Sequence, residues 1–151
     1  MAWLNIATKL DDARNLIALT KSYNVKLIVM YQMRFQYQLH LLKKAVSEGR
    51  FGKLSSATLN LRWNRDQDYF NNLPWVGDLE KGGGVLLNQL INYVDLMLWV
   101  VGPVKSVFAY TATRHNIKAE DQVVASVKFN NGVLGIIEAS LNVFKESLGC
   151  N

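Results

Sequence analysis

The stretch from Val85 to Val101 constrains this chain more than any other. It is the longest apolar run, yet it contains Asn88, Gln89, Asn92 and Asp95. Four such groups are too costly for a bilayer span, which needs about 20 mostly apolar residues. Gly102-Pro103 supplies a stop, so the run reads as a single helix. A helix apolar nearly all round belongs in a protein interior. At about 100° per residue, Asn92 falls roughly 40° from Asn88, and Asp95 about 20° on the other side. With Gln89 beside them, they form one polar stripe on a buried helix. Buried polar groups must be paired. Either the stripe bonds to loop backbone or sheet, or it faces a ligand cleft.

The remaining pattern says what that helix packs against. Thr8 to Asn24 reads as a helix opened by a capping-box-like Thr8-Lys9-Leu10-Asp11. Val25 to Tyr31 is continuously apolar and predicts a strand covered on both faces, as in a parallel sheet. Gln36 to Glu48 predicts a second helix, with Phe35, Leu39, Leu42 and Val46 on one face and Gly49 as its stop. Leu54 to Trp63 alternates as a strand that points Ala57, Leu59, Leu61 and Trp63 one way. Asn64 to Gly84 reads as a long aromatic and glycine-rich loop, a type that is often functional. Three strands follow, at 105–113, 121–129 and 133–142, with Asn130-Asn131-Gly132 joining the last two as a hairpin. The expected class is α+β: an open antiparallel or mixed sheet packed on helices, with a leftover helix–strand of an α/β unit in front.

At 151 residues the chain has the size of one domain, and its 50% hydrophobic content excludes a disordered segment. The net charge of +5 invites a nucleic-acid reading. Its cations are scattered, however, and only Lys43-Lys44 are adjacent among the first eleven, so no stripe could displace counterions together. Neither nucleic acid nor membrane is an expected partner. The single cysteine, Cys150, excludes an internal disulfide and a cysteine-cluster metal site. Met1-Ala2-Trp3 lacks the start of a secretory signal, and a cytoplasmic setting is expected.

Few other residues offer chemistry. Gly82-Gly83-Gly84 before a helix could hold an anion on free N–H groups, or could simply close the loop. The spacing is not that of a dinucleotide fingerprint. His40 and His115 have no neighbours at ligand spacing and read as surface histidines. Ser55, Ser56 and Ser140 have no partnered base.

Several stretches in order carry a resemblance. They are Tyr31-Gln32-Met33-Arg34-Phe35, Phe51-Gly52-Lys53-Leu54, Arg62-Trp63-Asn64-Arg65, Trp75-Val76-Gly77, Gly82-Gly83-Gly84-Val85-Leu86-Leu87-Asn88-Gln89, Asn92-Tyr93-Val94-Asp95-Leu96, Gly102-Pro103-Val104 and Glu120-Asp121. Together they resemble the glucose–fructose oxidoreductase / inositol dehydrogenase / MocA family, and within it the UDP-N-acetyl-sugar-acid dehydrogenases. The resemblance implies a Rossmann domain that binds NAD or NADP, followed by a sugar-holding and oligomerising domain. It makes residues 1–31 the remnant of a Rossmann domain and 32–151 a truncated substrate and oligomerisation domain.

It also exposes departures. The family's glycine fingerprint falls upstream of this chain. Ala2 stands at the family's lysine, Asn92 at its catalytic histidine, and Val76 where the family has an arginine. No catalytic residue and no cofactor are therefore expected for this chain alone. The expected substrate-binding residues are Arg34, Trp75, Asn88, Gln89 and Asn92, with Asp95 structural. Three functions follow: an inactive relative that keeps a nucleotide-sugar cleft, a homo-oligomeric module, expected as a dimer, and a half-enzyme that borrows a nucleotide-binding chain.

Overall fold

The computed structural model describes residues 6–143. Four helices and four strands follow one another: α1 (Leu10–Ser22), α2 (Tyr37–Ser47), β1 (Ser56–Arg62), α3 (Gln67–Asn72), α4 (Ile91–Val101), β2 (Val104–Ala112), β3 (Gln122–Phe129) and β4 (Leu134–Ser140). A short 3-10 turn (Gln32–Phe35) precedes α2, and a π-helical turn (Leu86–Leu90) leads into α4. The expectations for Ala2 and Cys150 lie outside the described residues.

The strands form one mixed sheet in the order β1-β4-β3-β2. β3 pairs antiparallel with both β2 and β4, and β1 runs parallel to β4 with Leu61 opposite Ala139. The β3–β4 hairpin turns at Gly132, which takes a positive φ of 87° that costs glycine little. β3 alternates buried and exposed along its length, the mark of a sheet with one face on the core and one in water. Val123, Val127, Phe129, Ile137 and Leu61 fill the buried face and meet Leu90 and Met97 from the π-helical turn and α4. The α+β class expected from the pattern is the fold found.

Three local expectations need correction. Val25 to Tyr31 is not a strand: Ile28 is 80% exposed and Met30 65%. Backbone N–H and C=O groups make a strand only beside another strand, and no described strand pairs with this run. The capping box at Thr8 does not form. Lys9 is the N-cap without a side-chain bond, while the Thr8 hydroxyl donates to the Glu80 carbonyl. The loop at 64–84 contains α3, whose first turn is held by the Asp66 carboxylate accepting from Tyr69 N–H at 2.9 Å.

α2 ends as its sequence requires. Gly49 adopts φ 71°, its N–H donates to Val46 and the Arg50 N–H to Ala45, which closes a Schellman motif.

Candidate functional site

The helix that opened the sequence reading is not a uniform α-helix. Its entry, Leu86–Leu90, is a π-helical turn, and such turns rotate less per residue than an α-helix. The polar stripe divides between two cavities. Asn88, Gln89 and Asn92, with Tyr93, line one cavity, while Asp95 faces elsewhere.

That cavity has a volume of about 330 Å³. Its second wall is the segment entering α2 (Gln32, Met33 and Gln36), and its third comes from Trp63 and Arg65 after β1 and Tyr69 of α3. The stacking is ordered. The Arg65 guanidinium lies 5.2 Å from the Trp63 ring centre and 4.8 Å from that of Tyr69. Its NH1 donates to the Asn64 carbonyl at 3.3 Å, and its buried Nε has no partner among the described residues. Gln89 is 9% exposed, and neither its Nε2 nor its Oε1 meets a partner among the described residues. Carboxamides that donate and accept, set between aromatic faces and a cation, are what a hydroxylated ligand needs.

Three of the five residues expected from sequence are therefore together: Asn88, Gln89 and Asn92. The structure does not bring Arg34 and Trp75 to this cavity. Arg34 donates to Asp95 through Nε at 2.7 Å and through NH2 to the other oxygen. Hydrogen bonding to Asp95 outweighs desolvation and raises the guanidinium above its ordinary pKa. The pair ties the 3-10 turn to α4, and Asp95 is structural, as expected. Trp75 packs partly buried against the core. In the sequence Arg65 stands out only as part of the Arg62-Trp63-Asn64-Arg65 motif. Its clamp between Trp63 and Tyr69 needs the β1 end and α3 to meet, which no spacing in the sequence encodes.

The glycine run serves the protein itself. Glu120 reaches its helix start, accepting from Leu86 N–H at 3.2 Å, while its backbone carbonyl accepts from Val85 N–H at 2.9 Å. Gly84 has φ 71°, and a Cβ there would run into the Glu120 carboxylate. The anion at this helix start is thus internal, and a phosphate would meet like charge.

His115 also departs from expectation. It is not a surface histidine: its side chain is 15% exposed and its Nδ1 lies 2.6 Å from Asp121 Oδ2. Asp121, fully buried, also accepts from the backbone N–H of Arg114 (3.0 Å) and His115 (2.9 Å) and from Asn142 Nδ2 (3.1 Å). Burial pushes its pKa up, but donors from His115, Asn142 and Arg114 outweigh burial and hold the carboxyl below its ordinary value. His40 is exposed, edge-on to Trp99 at 5.3 Å.

A larger pocket of about 670 Å³ lies between α4 and the β2–β3 half of the sheet. Its walls are apolar apart from Arg34 and Asp95, which satisfy each other, so it offers no free polar group to orient a ligand. Among the described residues no three His, Cys, Asp or Glu side chains gather as a metal site requires. No helix there is long and apolar enough to cross a membrane.

Comparison with known proteins bears on this geometry. The GFO/IDH/MocA C-terminal domain matches residues 39–149. The WlbA dehydrogenase from Bordetella pertussis, solved in complex with NADH and UDP-GlcNAcA, is 39% identical with a TM-score of 0.84. The match covers 93% of this chain and 41% of that one. WlbA from Chromobacterium violaceum, solved with the same two ligands, is 37% identical over 93% of this chain and 41% of its own, with a TM-score of 0.83. An oxidoreductase from Thermotoga maritima shares the fold at 16% identity, over 92% of this chain and 44% of its own, with a TM-score of 0.79. No curated protein matches the chain. The chain thus spans about two fifths of the length of the two WlbA enzymes.

Proposed function

The chain belongs to the GFO/IDH/MocA family through that family's C-terminal domain, and on that premise we propose that it binds a nucleotide sugar without oxidising it by itself. The observation that carries the reading is the cavity at the π-helical turn. There Asn88, Gln89 and Asn92 meet Arg65 and the rings of Trp63, Tyr69 and Tyr93. Carboxamides read hydroxyl and amide groups, and aromatic faces cover the apolar side of a sugar ring or a base. The WlbA enzymes, more than a third identical, were solved with UDP-GlcNAcA bound.

The lack of chemistry rests on residue types. Asn92 stands where the family resemblance calls for a catalytic histidine, and a carboxamide neither takes nor gives a proton near neutral pH. Among the described residues, the glycine-rich helix start at Gly82 to Gly84, which could otherwise hold an anion, is taken by Glu120. We place the protein in the cytoplasm, in keeping with its single cysteine.

A thermal-shift screen tests this, setting UDP-sugars and UDP-sugar acids beside NAD(H) and NADP(H). A ligand at 100 times its dissociation constant adds about 2.7 kcal/mol of stability. The reading expects a shift with a UDP-sugar and none with a dinucleotide. A dinucleotide shift would overturn the account of Glu120, and silence throughout would overturn the cleft.

A second reading, homo-oligomerisation, is favoured by the outer face of the sheet. Phe108 (62% exposed), Tyr110 (71%), Val124, Leu134 and Ile136 share that face across three strands. An apolar patch of this kind marks an interaction surface. A symmetric dimer would cover it. Sedimentation at micromolar concentration checks this, and a monomeric species would count against it.

A further inference from the structure

We infer that Arg65 and Gln89 act together as an oxyanion-recognising pair, so that the cavity's ligand carries a carboxylate or phosphate beside a hydroxyl or amide; this rests on the cleft reading above. Three buried side-chain polar atoms lack a partner among the described residues: Arg65 Nε, Gln89 Nε2 and Gln89 Oε1. All three belong to residues that line the same cavity. Elsewhere the fold satisfies its buried polar groups closely, Asp121 through donors from three residues. Buried groups without partners are costly, and finding them at one place points to a bound group that supplies the partners.

The three atoms define that group. The Arg65 Nε–H donates from a cation, which favours an oxygen bearing negative charge. Trp63 and Tyr69 hold the guanidinium plane, so its direction is set before a ligand arrives. No carboxylate pairs with Arg65 among the described residues, whereas Arg34 is already bound to Asp95. Gln89 Nε2 donates to a second acceptor, and Gln89 Oε1 accepts from a hydroxyl or amide. An oxyanion with a neighbouring O–H or N–H answers all three. Arg65 thereby supplies a cation that Val76 in the Trp75-Val76-Gly77 motif does not.

Isothermal calorimetry on the full chain with UDP-glucuronate and UDP-glucose provides the test, repeated on Arg65→Gln and Gln89→Leu. Charge-assisted hydrogen bonds of the expected kind are worth a factor of about 10 to 100 in affinity. Arg65→Gln should weaken binding by that factor. If it weakens UDP-glucuronate alone, the oxyanion is the sugar carboxylate. If it weakens both ligands equally, the oxyanion is the phosphate.

Gln89→Leu should weaken binding about tenfold while raising the melting temperature, because it removes two unpartnered atoms. A merely structural Gln89 would shift the melting temperature and leave affinity alone. Wild-type affinity in both variants, for a ligand that the parent chain binds, would overturn the pair and leave the cleft standing. Failure of the parent chain to bind either nucleotide sugar would overturn the cleft reading, and the pair with it. Arg65→Lys, which keeps the charge and loses the fork, repeats the test if Arg65→Gln does not fold.

Discussion

Two buried polar centres adjoin at the end of β4, where Leu141 bonds the backbone of both Arg65 and Asp121, and they are built in opposite ways. Asp121 Oδ1 accepts from Arg114 N–H and Asn142 Nδ2, and Oδ2 is met by the backbone N–H groups of Arg114 and His115 and by His115 Nδ1. Around Gln89 and Arg65 three buried polar atoms meet no partner among the described residues. A buried group that is fully bonded holds a fold together, and one left open at a cavity destabilises the fold until something binds. The first centre joins the β2–β3 connection to the end of β4. The second lies where β1, α3 and the π-helical turn converge.

The comparison breaks first at Asp121. Asp121→Ala leaves several buried donors without an acceptor, each worth about 1–3 kcal/mol, so a loss of roughly 3–5 kcal/mol is expected in urea denaturation. Its pH dependence follows from the direction of the shift. The carboxyl titrates below its ordinary value in the folded state, and it contributes stability above the unfolded value near 3.8. That contribution is lost as pH falls through the lower, folded value. Asp121→Asn should remove this part of the acid-unfolding slope, read as stability against pH between neutrality and pH 2.

Gly84→Ala comes next. It forces a side chain into a positive φ and into the Glu120 carboxylate, at an expected cost of about 2–3 kcal/mol in the same denaturation measurement. Asp95→Asn weakens the tie between the 3-10 turn and α4. Arg34 is 40% exposed at its side chain, so water screens part of the pair, and a loss of about 1 kcal/mol is expected. The same variant should loosen the wall formed by Gln32, Met33 and Gln36, which would appear as weaker ligand binding in calorimetry. The smallest effect has the opposite sign. Gln89→Leu should stabilise the ligand-free chain by up to about 1 kcal/mol, measured by thermal melting. A destabilised Gln89→Leu would mean that its carboxamide already has partners, and the contrast with Asp121 would fail.

Much of the scaffold was legible because it rests on local chemistry. Gly49 ends α2 through a left-handed glycine, Gly132 turns the last hairpin, and β1 and β3 alternate with period two. Asn88, Gln89 and Asn92 could be nominated because polar side chains on an apolar helix stand out. The neighbouring Asp95 looked like part of the same stripe because it lies within one turn of Asn92, and only the fold shows that Arg34 takes its carboxylate while Asn92 lines the cavity. His115 looked like a surface residue because its partner, Asp121, is identified by a backbone turn and not by spacing. Arg34 looked like the site's cation because the sequence does not show that Asp95 neutralises it.

By itself the sequence determined which segments could be helix or strand, where they stop, and that polar carboxamides sit on an interior helix. Those are properties of neighbours within a few residues, set by backbone dihedrals and side-chain periodicity. Tertiary structure alone decided that Val25 to Tyr31 pairs with no strand among the described residues, that Arg65 rather than Arg34 lines the cavity, and which buried polar groups are satisfied. Strand pairing and hydrogen-bond satisfaction depend on residues distant in sequence, so the folded structure is needed to assign their partners.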